Sequence, residues 1–122
     1  MVYSRPIYAT FINVFTVEPA NQQRLVDLLA HATVVPVRHA PGFASATLHR
    51  SIDGTRVTMY AQWRTIEDYQ AMRNSPASRD YLQQALAIAK FEPGMYEIIQ
   101  SYSPDDNGTE DVTHPRVPLL KD

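Results

Sequence analysis

Arg56-Val57-Thr58-Met59-Tyr60-Ala61-Gln62-Trp63, then Arg64, then Thr65-Ile66-Glu67-Asp68-Tyr69, is the stretch on which the reading of this chain turns. The first eight residues have the alternation of a strand. Val57, Met59, Ala61 and Trp63 share one face, and Thr58, Tyr60 and Gln62 share the other. Thr65 to Asp68 has the form of a capping box, so a helix starts two residues after Trp63 and places Tyr69 one turn in. The only tryptophan thus stands beside a phenol at a strand-to-helix junction. Flat side chains with hydrogen-bonding tips wall small-molecule pockets in such places.

Upstream, Asp53-Gly54 suits a tight hairpin turn, which makes Phe43 to Ile52 the preceding strand. Simple alternation puts Phe43, Ser45, Thr47 and His49 on one of its faces and Ala44, Ala46, Leu48 and Arg50 on the other. Pro41-Gly42 stops an earlier helix that begins near Glu18-Pro19-Ala20-Asn21. Its Leu25, Leu28, Leu29 and Ala32 recur at the spacing of one buried stripe, and Pro36 bends or ends it. Ile7 to Val17, rich in β-branched and aromatic residues, is the first strand. Downstream, Ser75-Pro76 opens another helix, whose stripe Tyr81, Leu82, Ala85, Leu86, Ala89 runs to Lys90. Met95 to Tyr102 reads as the last strand. The order is β-α-β-β-α-β, a ferredoxin-like α+β fold over residues 1–103. Residues 104–122, acidic and proline-containing, read as an irregular C-terminal tail.

Both faces of the first strand carry apolar groups: Ile7, Ala9, Phe11 and Phe15 on one, Tyr8, Ile12 and Val14 on the other. Helices cover one face of such a sheet, so a second copy of the chain is expected to cover the other, giving a homodimer. Tyr60 and Gln62 then serve the subunit interface.

The 122 residues fit one domain with a real core. The absence of cysteine removes disulfides, thiolate nucleophiles and Cys-ligated metals. A net charge of −2 gives no footprint for nucleic acid. No apolar run is long enough for a membrane span, and Met1 to Pro6 lacks the features of a signal peptide, so a cytoplasmic protein is expected. No Gly-rich phosphate loop is present, so a nucleotide or flavin cofactor is not expected. The four histidines, His31, His39, His49 and His114, show no metal-ligand spacing, so no metal site is expected either.

Three stretches together, Ala40-Pro41-Gly42-Phe43-Ala44-Ser45-Ala46-Thr47-Leu48-His49, Asp53-Gly54, and Tyr60-Ala61-Gln62-Trp63 with Tyr69, resemble the antibiotic biosynthesis monooxygenase family. The likeness is to its small anthrone-oxidising enzymes of aromatic polyketide pathways and covers roughly the first hundred residues. It implies a dimeric α+β barrel, a pocket between sheet and helices in each subunit, and oxygenation of a phenolic polycycle by O2 without flavin, haem or metal. The family's Trp and Tyr map onto Trp63 and Tyr69, and its strand histidine onto His49. The anthrone oxidisers have an Asn where this chain has Met59, and a helix Arg where it has Gln83.

Such chemistry needs a base, donors for a developing oxyanion or peroxide, and a dry pocket. The residues offered are His49 as base, since an imidazole titrates near neutrality, and Trp63 and Tyr69 as donors. Met59, Met72, Tyr81 and Gln83 are offered as substrate-binding residues. Arg73 and Arg79 read as solvated helix charges that are able to reach in where the family's Arg is missing. His31 and His39 read as surface residues. A non-oxidative cyclase or isomerase on the same fold, and a carrier of flat aromatic ligands, are the competing readings.

Overall fold

The computed structural model describes residues 8–104. The described residues 8–96 belong to one compact unit, and residues 97–104 belong to another. The expected tail lies, apart from Pro104, outside the described residues.

The elements of the compact unit are β1 (Ala9–Val17), α1 (Gln22–Val34), β2 (Phe43–Arg50), β3 (Arg56–Trp63), α2 (Ile66–Arg73), α3 (Pro76–Leu86), β4 (Ala89–Glu92) and β5 (Met95–Tyr96). The strands form one antiparallel sheet in the order β2-β3-β1-β4, with β5 also paired to β1. This is the ferredoxin-like α+β arrangement expected from the sequence.

The inner row of β1, Ala9, Phe11, Asn13, Phe15 and Val17, continues across the sheet into Trp63, Ala61, Met59 and Val57 of β3. Two apolar clusters form on this side. Leu25 and Leu29 of α1 and Ala85 of α3 pack on Phe15, Val17 and Val57. Tyr69 of α2 packs with Phe11, Ala61 and Trp63. Pro36 ends α1 as expected, since it lacks an N–H and crowds the preceding turn. A short 3-10 turn, Val37–His39, leads from there to β2.

Helix starts follow their capping residues. Thr65 Oγ1 accepts from the amide of Asp68 at 3.0 Å, and Ser75 Oγ accepts from Ser78 at 3.4 Å with Pro76 at the first helical position. Asp68 turns its carboxylate to Arg64 at 3.3 Å. The hairpin turn is held by Asp53. Hydrogen bonds from the Thr55 hydroxyl, from Ser51 and from the Thr55 amide lower its carboxyl from 3.8 to about 2.

Three boundaries differ from expectation. β2 stops at Arg50, where the Ser51–Arg56 bonds of the turn take over. α3 ends at Leu86 rather than Lys90. Ala89 and Phe91 instead alternate inward on a strand beside β1, with Phe91 stacked on Phe15 at 4.6 Å. The last strand is therefore divided. Pro93-Gly94 interrupts it, Met95–Tyr96 makes a second short pairing with β1, and residues 97–102 are not in a strand.

Candidate active site

A cleft opens between the inner face of the sheet and the helices. Its cavity volume is about 120 Å³. Its walls are mainly apolar: Phe15, Ala46, Met59, Ala61 and Trp63 from the sheet, Leu29, Ala32 and Val37 from α1 and its exit, Met72 and Leu82 from α2 and α3. Trp63 is fully buried, with Phe43 and Tyr69 edge-on to its indole at centroid distances of 5.4 and 5.9 Å. Tyr69 stacks flat on Phe11 at 3.8 Å, so the strand-to-helix junction supplies a rigid aromatic corner.

Polar groups gather where Tyr69 meets β1. Asn13 Nδ2 donates to Tyr69 Oη at 3.2 Å, and Asn13 Oδ1 accepts from the Gly94 amide at 3.3 Å. Arg73, one turn beyond Tyr69, reaches the same hydroxyl at 3.5 Å and lies over the ring of Phe91 at 5.1 Å. It pairs with no carboxylate among the described residues. The corner therefore gathers an amide, a phenol and a guanidinium beside the Trp63 indole in the wall of an apolar slot. Flat ligands with an oxygen at the edge match that arrangement.

Of the residues named from sequence, Trp63, Tyr69, Met59, Met72 and Tyr81 all line this cleft. His49 and Gln83 do not. Gln83 is exposed on the outer side of α3. His49 pairs with Thr58 and is exposed on the sheet face away from Trp63. The cause is a β-bulge. Phe43 pairs with Trp63 but Ser45 pairs with Gln62, leaving Ala44 as an extra residue. Alternation counted from Phe43 therefore slips by one. Ala46 and Leu48 point inward, and Ser45, Thr47 and His49 point out. The expected pairing of His49 with the pocket is corrected on this ground.

Asn13 went unrecognised in the sequence, although one amide in the otherwise apolar inner row of β1 is a readable signal. Ser78 and Thr33, which also line the cleft, give no such signal.

A ferredoxin-like subunit with an aromatic-cornered cleft between its sheet and helices defines a class of small α+β enzymes. Comparison with known proteins narrows it. The profile of the antibiotic biosynthesis monooxygenase family matches residues 9–84. Tetracenomycin-F1 monooxygenase of Streptomyces glaucescens is 38% identical over 97 residues, covering 80% of this chain and 87% of that protein. The monooxygenase from the gene ActVA-Orf6 of Streptomyces coelicolor, solved in complex with the ligand nanaomycin D, superposes with a TM-score of 0.72 at 27% identity, covering 82% and 95% of the two chains. SnoaB, a cofactor-independent oxygenase from Streptomyces nogalater, shares the fold with a TM-score of 0.68 at 24% identity over 81% and 99%.

The chain belongs to the antibiotic biosynthesis monooxygenase family. Its enzyme class is accordingly that of a monooxygenase. Among the described residues no helix is long and apolar enough to cross a membrane.

Proposed function

We propose that the protein is a cofactor-independent monooxygenase that uses O2 to convert a phenolic, polyketide-like polycycle to a quinone. The observation that carries this reading is the corner in which Asn13 and Arg73 meet the Tyr69 hydroxyl beside Trp63, all four lining an apolar slot. The family membership and the tetracenomycin-F1 monooxygenase likeness support it.

In this reaction the substrate loses a proton and becomes an electron-rich anion. The anion passes one electron to O2, the radicals combine at carbon, and the resulting hydroperoxide loses water to leave a carbonyl. One O2 is consumed and one water released per quinone. The apolar walls surround the substrate rings, and fixed donors stabilise the negative oxygen as it develops. Trp63 and Tyr69 supply those donors, with Asn13 and Arg73 holding Tyr69 in place. Met59 and Met72 fit the flat rings as adaptable lining. Oxygen uptake by protein dialysed against chelator, with an anthrone as substrate, tests the reading. One O2 per quinone is expected. Product formed without oxygen would instead indicate a cyclase or isomerase.

The working form is proposed to be a homodimer joined through the outer sheet face, where Ile12, Val14 and Tyr60 stand opposite the helix-covered row. Sedimentation showing a stable monomer at micromolar concentration would overturn this part. A cytoplasmic location fits the expectation from the sequence.

A further inference from the structure

Among the described residues, no aspartate, glutamate or histidine lines the cleft described above. A wall residue that also bonds to a base outside the cleft would give a proton removed from the substrate a route out.

Tyr81 of α3 is placed to do this. It lines the cleft and also a separate, solvent-facing hollow between α1 and α3. In that hollow its hydroxyl lies 2.6 Å from Nδ1 of His31, an exposed residue of α1, with the rings tilted at 54°. One turn earlier on α3, Ser78 also faces the cleft, and its hydroxyl oxygen is buried with no hydrogen-bond partner. A buried, unsatisfied hydroxyl in a pocket wall is costly unless a ligand atom completes it. Ser78 and Tyr81 thus mark a second polar end of the cleft, formed by α3, whereas Asn13 and Tyr69 hold theirs on β1 and α2.

We propose that this end binds a phenolic hydroxyl of the substrate and that Tyr81 relays its proton to His31. The inference rests on the monooxygenase reading for its substrate class. In the step, the substrate O–H passes its proton to Tyr81 Oη while the Tyr81 O–H proton passes to His31 Nδ1. The products are substrate phenolate, neutral Tyr81 and an imidazolium, which returns the proton to solvent through its exposed ring. Ser78 donates to the same substrate oxygen and stabilises the phenolate. Tyr81 is the residue that touches substrate; His31 acts through it. The charged groups facing His31 are Arg24 and Asp27 on its own helix and Asp80 on α3. Gln84 is occupied by Asp80 at 3.2 Å, and Asp27 accepts from Gln23 at 2.9 Å.

The test uses 2-hydroxyanthraquinone, which changes colour on ionisation and is already oxidised, so it reports proton loss without turnover. Bound to the wild-type protein it is expected to ionise at lower pH than in water. Tyr81→Phe is expected to bind the dye and lose that shift. His31→Gln, which keeps a hydrogen-bond partner for Tyr81 but cannot take up a proton, is expected to do the same. With an anthrone, His31→Gln should lose about 10²-fold in kcat near neutral pH and regain it as pH rises. Dye ionisation and pH–rate profiles unchanged in both variants, with wild-type oxygen uptake intact, would overturn the relay and leave the monooxygenase reading standing. Failure of the wild type to bind the dye would also overturn it. A dye shift that depends on His31 and Tyr81, without any oxygen uptake, would support the relay and overturn the oxidative reading alone.

Discussion

Replacing Tyr69 by Phe separates the structural from the chemical use of one side chain. The ring stays, and with it the stack on Phe11 at 3.8 Å and the edge contact with Trp63. What disappears is the hydroxyl that meets Asn13 at 3.2 Å and, more weakly, Arg73 at 3.5 Å. The Asn13 bond is half-buried, so its loss is expected to cost about 1 kcal/mol of stability. For a domain of this size that lowers Tm by roughly 4–8 °C. Losing a donor to a developing oxyanion costs more, about 2.7–4 kcal/mol in the transition state, or 10²- to 10³-fold in kcat. Thermal unfolding followed by circular dichroism measures the first effect, and oxygen-electrode kinetics with an anthrone measures the second. If Tyr69→Phe shows the stability loss but keeps kcat within threefold of wild type, the hydroxyl is structural only and the assignment of Tyr69 as donor fails.

His49→Ala is expected to leave kcat and its pH profile unchanged, because His49 projects from the sheet face opposite the cleft. A large loss of kcat in steady-state assays would contradict the bulged register. Gly42→Ala should destabilise the fold by about 1–3 kcal/mol in chemical denaturation. Gly42 has φ of +88°, and an added methyl would lie 2.2 Å from the Asp68 carboxylate. Asp53, held to about 2 by the turn, contributes stability that is in place above its unfolded value of 3.8 and is lost as pH falls from there through about 2. A carboxyl resonance of Asp53 titrating near 4 by NMR would contradict the turn geometry.

The elements that were legible in the sequence are those whose signals are local. Thr65 and Ser75-Pro76 announce their helices through chemistry confined to one turn, and the alternation around Met59, Ala61 and Trp63 carries through β3 without interruption. Trp63 and Tyr69 were legible as pocket walls for the same reason. His49 was misplaced because a bulge is a tertiary decision: nothing in Phe43-Ala44-Ser45 distinguishes a residue that pairs from one that is passed over. β4 was hidden because Ala85, Leu86, Ala89 continues a helical spacing, while Phe91 finds its stacking partner, Phe15, far away in the chain. The meeting of Tyr81 with His31 was equally out of reach, since it joins two helices 50 positions apart.

The bond from the Gly94 amide to Asn13 has a directional consequence. A backbone N–H can only donate, so the oxygen of the Asn13 amide must face Gly94 and its NH2 must face Tyr69. Tyr69 oxygen is then filled by incoming hydrogens, from Asn13 and weakly from Arg73. Its own hydrogen has to point elsewhere, away from Asn13 and Arg73. A backbone corner at Pro93-Gly94, well outside the aromatic walls, thereby sets the polarity of a phenol and selects ligands that bring a lone pair, rather than a hydrogen, to that spot.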